Sequence, residues 1–189
     1  MARRTPLSPN ALTLLALLLN LAAAAALALA ARHRDAFLAA AGLAAVGGIL
    51  DLLDGLVARE KGLTSRWGDF LDHFADRVSD SALFAGWILG ARVSPAIGLV
   101  SIVAILLNGY AGTQMEASFG AREYRSTGRG EFFIAVLGFP LIAWFGGERL
   151  AALRAGPFTV FEILTLLVAL GALVGVVQRL AQAKRLAGE

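Results

Sequence analysis

The chain has 189 residues, 58% of them hydrophobic and 16% charged, with a mean hydropathy of +0.70, a balance too apolar for a soluble domain of this length. Cysteine is absent, which removes disulfides, thiolate metal sites and cysteine nucleophiles and leaves carboxylates and two His as candidate ligands. The formal charge of +3 and pI near 9.9 are no nucleic-acid footprint, because the 17 Lys and Arg sit in short clusters between apolar runs.

Between Asn10 and Arg32 lie 21 residues without a charge, enough for a helix to cross about 30 Å of hydrocarbon. The basic start at Met1 to Arg4 also suits a signal peptide, but the run is too long and more apolar segments follow, so no cleavage is expected. Further runs cover about Ala36–Ala58, Trp67–Ala91, Val93–Met115, Phe132–Gly147 and Pro157–Val177, with short polar or Gly/Pro-bearing joints between them. The fifth run has 16 residues and contains Pro140, which predicts a kink or an extension into the preceding loop. The expected fold is an all-α integral membrane protein, six transmembrane helices in one bundle with a cytoplasm-facing polar cavity, forming one domain over residues 1–189. Eleven Lys or Arg fall on one side of this topology, including Arg3, Arg4, Arg59, Lys61 and Arg66, against five on the other. Basic residues are retained inside, so both termini and the joint between helices two and three are expected in the cytoplasm of a cell-membrane protein.

Six of the seven Asp residues lie between positions 51 and 80, around that joint. An ionised side chain within a membrane helix costs several kcal/mol unless it is paired or hydrated. Asp51 and Asp54 are spaced i,i+3 and Asp72 and Asp76 i,i+4, so each pair projects from one face of its helix. Counting from the joint, Asp54 and Asp76 lie about 7 and 15 Å deep, toward the same membrane face. Four carboxylates with few cations near them repel one another, and a divalent metal or protonation relieves that. Hard oxygen donors suit Mg²⁺ or Mn²⁺, ions that usually serve phosphates, so two metals on a pyrophosphate is the simplest chemical reading. Gly55, Ala58 and Gly68 are small residues beside the carboxylates, suited to close helix approach or to a flat ligand, and Arg59 offers a fork for phosphate.

The run Asp51-Leu-Leu-Asp54-Gly55-Leu-Val-Ala58-Arg59, then eight residues, Gly68, three residues, Asp72, three residues and Asp76 resembles the signature of the CDP-alcohol phosphatidyltransferases at every fixed position and spacing. Pro9-Asn10-Ala-Leu-Thr13 resembles the family's start of helix one. The resemblance implies a membrane enzyme of phospholipid biosynthesis that transfers a substituted phosphate from a CDP-alcohol, such as a CDP-linked lipid, to an acceptor alcohol and releases CMP. By resemblance, Asp51, Asp54 and Asp72, helped by Asp76, would hold two divalent ions (Mg²⁺ or Mn²⁺), and Asp76 would be the general base. Asp54, Gly55, Ala58, Arg59 and Gly68 would hold the CDP moiety. The resemblance also implies a homodimer among membrane lipids. Around Asp72-His-Phe-Ala-Asp76-Arg77-Val-Ser-Asp80 the likeness is to the phosphatidylinositol-phosphate and archaeal inositol-phosphate synthases, which grip the acceptor's phosphate with basic residues on helices four and five. Their approximate counterparts here are Gly112, Gln114, Arg129 and Phe132, so only Arg129 is basic, with Arg122 and Arg125 as nearby substitutes for acceptor binding.

Other polar residues have plainer expectations. Asp69 and Asp80 are as well explained by salt bridges to Arg66 or Arg77 as by an accessory role. His73 points about 100° away from Asp72 and is expected to hydrogen-bond between helices. Glu116 is either a cavity group or a solvated helix end, Glu162 is expected to snorkel, Asn108 and Tyr110 to bond between helices, and Trp67, Trp87 and Trp144 to sit in interfacial belts. The alternative function is a proton- or cation-coupled transporter, whose carboxylates would instead sit near the midplane within paired repeats.

Overall fold

A computed structural model describes residues 7–120 and 129–188. Six helices account for most of them: α1 Pro9–Leu29, α2 Ala36–Lys61, α3 Arg66–Gly90, α4 Pro95–Phe119, α5 Arg129–Ala152 and α6 Val160–Leu186. Ser8 accepts from the Ala11 amide with Pro9 behind it, and Ser65 accepts from the Gly68 amide at 3.0 Å, so α1 and α3 start where serine satisfies otherwise orphaned amides. Gly62 and Gly120, with φ of 65° and 64°, end α2 and α4 in the left-handed conformation.

Five of the six helices, α1, α2, α4, α5 from Ile134, and α6, are long and apolar enough to cross a membrane, and the chain is an integral membrane protein. The third helix is as long as its neighbours but carries Asp69, Asp72, Asp76, Arg77 and Asp80, which take it out of that set. Six spans by apolar length alone therefore become six helices with five apolar spans.

The fifth helix begins at Arg129, upstream of the expected run, and its break is at Gly147 (φ 54°, ψ −150°), not at Pro140. Arg34 donates to the Trp144 and Phe145 carbonyls and so satisfies acceptors released by that break, while the Trp144 indole donates to Asp35 at 3.0 Å. A two-stranded hairpin then joins Arg154–Ala155 (β1) to Phe158–Thr159 (β2), with Gly156 at φ 63° in its two-residue turn. The sequence pattern did not anticipate it.

α1 packs against both α2 and α3, and α4 against α6, whereas α2 and α3 meet only marginally among the described residues. Close approach of α1 to α3 rests on Gly86 and Gly90, where a Cβ would collide with the Ala24 and Leu27 carbonyls. The core includes Ala23, Leu27, Phe37, Leu83 and Trp87. Trp87 is 3% exposed and donates to Thr165 at 3.0 Å, so it is a core residue and not a belt residue, whereas Trp67 is 60% exposed.

Candidate metal centre

α1 packs against both acidic helices, α2 and α3. Between those two, Asp51 of α2 and Asp72 and Asp76 of α3 each bring a carboxylate oxygen within 4.8 Å of the others, all half-buried. Side chains four apart on α3 point the same way, and the short turn from Gly62 to Ser65 folds α2 back beside them. Three hard, anionic oxygen donors this close fit a divalent cation of the Mg²⁺ or Mn²⁺ kind, which would neutralise their repulsion.

Asp54, the fourth carboxylate of the expected set, is not among the three whose oxygens lie within 4.8 Å of one another. Three residues along α2 the helix has turned by about 60° from Asp51, and Asp54 is buried at 6% exposure against α1, where Thr13 donates to it at 2.5 Å. The structure brings together Asp51, Asp72 and Asp76, with Asp54 tied to α1. Thr13 and Asn10 are the polar residues of the α1 start singled out in the sequence. A Cβ on Gly68 would stand 3.3 Å from Asn10 Oδ1 and 3.2 Å from Ser65 Oγ, so Gly68 lets α1 approach the beginning of α3. The Arg59 guanidinium folds back over Gly55, where a Cβ would sit 3.8 Å from its Nη2, and Ala58 is half-buried one turn on.

Asp80 pairs with Arg77 at 3.1 Å and Asp76 with the same guanidinium at 3.7 Å, so the expected salt bridge at Asp80 forms. Asp69 faces His73 at 4.0 Å, and His73 reaches Glu116 of α4 at 3.7 Å, the interhelical contact expected of it. Glu162 does not snorkel. It closes a capping box with Thr159 and accepts from the Ser94 amide at 3.2 Å, tying the α6 start to the α4 start.

Arg122 and Arg125 lie outside the described residues, as does the Arg129 side chain. Arg179, which the sequence reading placed only in the topology count, is 9% exposed on α6 and donates to the Asn108 carbonyl and side-chain oxygens on α4. A Cβ on Gly112 would stand 3.4 Å from its guanidinium, so α6 returns a cation to the α4 position where basic residues are missing. An intramembrane Arg near a helix end was the available signal.

The profile of the CDP-alcohol phosphatidyltransferase family matches residues 6–183. The archaetidylinositol phosphate synthase of Pyrococcus horikoshii is 32% identical over 131 residues, 69% of this chain and 67% of that protein. The phosphatidylinositol phosphate synthase of Streptomyces avermitilis is 47% identical over 58 residues, so this chain spans only 24% of that relative's length. The phosphatidylinositol phosphate synthase of Mycobacterium tuberculosis, solved in complex with manganese and citrate, superposes with a TM-score of 0.75 at 26% identity, covering 96% of this chain and 86% of that one. The same protein with CDP-DAG bound gives 0.72 at 27% identity over 96% and 90%.

Proposed function

The chain belongs to the CDP-alcohol phosphatidyltransferase family, and from that membership we propose that it transfers a substituted phosphate from a CDP-linked lipid to an acceptor alcohol and releases CMP. The observation that carries this reading is the convergence of Asp51, Asp72 and Asp76 between α2 and α3. The CDP-DAG bound by the M. tuberculosis relative supports a lipid donor, and the manganese bound there supports Mn²⁺ or Mg²⁺. The family match leaves the transporter alternative without support.

In this proposal Asp51, Asp72 and Asp76, with Asp54 completing the set, hold two divalent ions. Bound there, the ions would supply positive charge to the pyrophosphate and to the departing CMP. Asp76 takes the proton of the acceptor hydroxyl, the freed oxygen attacks the lipid-linked phosphorus, and the bond from that phosphorus to the CMP oxygen breaks. Thr13 fixes Asp54 against α1, so that Asp54 keeps one orientation as the donor binds. Gly55, Ala58, Arg59 and Gly68 take the CDP moiety, with Arg59 on phosphate.

The third helix serves as a sixth, charged span: its acidic face lines a cytoplasm-facing cavity, and Trp67, Phe70 and Phe74, all more than half exposed, face lipid or a second copy in a homodimer. Both termini lie in the cytoplasm, and residues 1–189 form one domain.

Substituting Ala58→Leu puts a bulky side chain beside the carboxylates and is expected to weaken CMP and CDP-donor binding about tenfold or more, a steric cost of roughly 1–3 kcal/mol. Calorimetric titration of the purified, folded variant with CMP checks this, and unchanged affinity would move the nucleotide elsewhere.

The function is tested by CMP release from a panel of CDP-donors and acceptors with Mg²⁺ or Mn²⁺. No metal-dependent release from any donor overturns it. The acceptor is expected to be a neutral or zwitterionic alcohol, a polyol or amino alcohol, in preference to its phosphate ester. Gly112 and Gln114 carry no basic side chain, the Arg179 guanidinium beside Gly112 is already engaged by Asn108, and each lost charge-assisted hydrogen bond is worth about 1.5–3 kcal/mol. A kinetic comparison of inositol, inositol phosphate, glycerol phosphate and serine decides this, and preference for either phosphate ester would point to Arg122, Arg125, Arg129 and Arg179.

A further inference from the structure

One cation lies against the acidic cluster on its own helix. Arg77 follows Asp76 on α3, with Nη2 3.7 Å from Asp76 Oδ2 and 3.1 Å from Asp80 Oδ2. Its guanidinium is also pressed onto the backbone of α4 at Gly109, where a Cβ would overlap Nη1. Its Nε is buried and finds no hydrogen-bond partner among the described residues. A buried donor without a partner is costly, and a guanidinium in a membrane bundle more so, so simple packing does not account for the arrangement. Two constraints set where the charge sits. Asp80 draws it one turn away from Asp76, and Gly109 is the position on α4 that leaves room for it.

We propose that Arg77 is a positioning residue for Asp76, held by Asp80 and by the bare backbone of Gly109, so that α4 fixes the orientation of the carboxylate assigned above as general base. The inference rests on that assignment. A planar guanidinium suits the task because Nη2 faces Asp76 and Asp80 while Nη1 rests on the Gly109 backbone, two directions that a single lysine ammonium does not hold at once. Gly109 then matters through Arg77 and not through helix packing: any side chain there displaces the guanidinium and with it Asp76.

The test is a double-mutant cycle on the full-length enzyme in detergent or lipid nanodiscs, using Arg77→Ala, Gly109→Ala and the double variant, with Arg77→Lys as the conservative change. Thermal melting checks folding, steady-state CMP release gives kcat and the donor KM, and Mn²⁺ binding is followed by electron paramagnetic resonance. Each single variant is expected to lose about 10- to 100-fold in kcat, the range for displaced supports of metal-site residues, with the donor KM changed by less than about threefold and the Mn²⁺ spectrum altered. Gly109→Ala adds little once residue 77 is Ala, because the overlap is gone, and Arg77→Lys regains part of the loss. Wild-type kcat and Mn²⁺ spectrum in Arg77→Ala, or a Gly109→Ala cost that persists in the Arg77→Ala background, overturns the proposal. If Gly109→Ala alone fails to fold, the double variant decides: recovered folding supports the overlap with Arg77, and continued failure refutes it. A wild-type chain without CMP release refutes the enzymatic reading, and the Mn²⁺ spectra of the same variants then decide the placement of Asp76 by Arg77.

Discussion

Asp51→Asn and Asp72→Asn are each expected to abolish measurable metal-dependent CMP release, a loss of at least about 100-fold. Each substitution removes one of three anionic oxygens that lie within 4.8 Å of one another. Several kcal/mol of transition-state charge stabilisation depend on that set, and each ~1.4 kcal/mol is a factor of ten in rate. Turnover and Mn²⁺ affinity should fall together, because the amide keeps the shape and loses the charge. Asp54→Asn is expected to be as damaging to turnover while reporting a different neighbourhood: its carboxylate is buried and accepts from Thr13 at 2.5 Å, so the variant also loosens α1 from α2. Thr13→Val should reproduce part of that loosening with the metal ligands intact. Near-normal turnover and metal affinity in all three Asp variants would remove the metal assignment.

The acidic cluster was legible in the sequence because a membrane tolerates few charges, so carboxylates at i,i+3 and i,i+4 stand out against apolar background and the helical period places each pair on one face. The hydrogen bond that Asp54 accepts from Thr13 was not legible, because a 60° turn on α2 becomes a different environment only once α1 is known to pack there. The status of α3 shows the same limit. Its length was readable, yet its charges lower its apolarity below that of the other five spans.

Trp87 was misplaced by composition, since tryptophan is common both in interfacial belts and in cores that offer its indole an acceptor, here Thr165. Glu162 carries a readable signal: Thr159-Val-Phe-Glu162 is a capping-box spacing ahead of an apolar run. Arg179 and Arg77 were visible in the sequence, while their contacts on α4 were not. Their guanidiniums meet α4 at Asn108, Gly112 and Gly109, and a glycine in an apolar run does not disclose which cation occupies the space it leaves.

Asp76→Asn is expected to separate binding from chemistry. Asp76 brings a carboxylate oxygen within 4.8 Å of those of Asp51 and Asp72, lies one turn further along α3 than Asp72, and has the Arg77 guanidinium 3.7 Å away. If it receives the acceptor's proton, its amide cannot, and transfer should fall by about 10²- to 10⁴-fold, the contribution of a positioned general base. Asp51, Asp54 and Asp72 remain in that variant, so CMP and CDP-donor affinity in the presence of Mn²⁺ should drop far less than transfer. Single-turnover measurement with saturating donor distinguishes the two effects, because it reads the chemical step after binding is complete. Rapid transfer by Asp76→Asn would exclude the base role outright. A loss of donor binding as large as the loss of transfer would instead make Asp76 a metal ligand whose neighbours cannot hold the site without it, and the proton would then have to leave through another group.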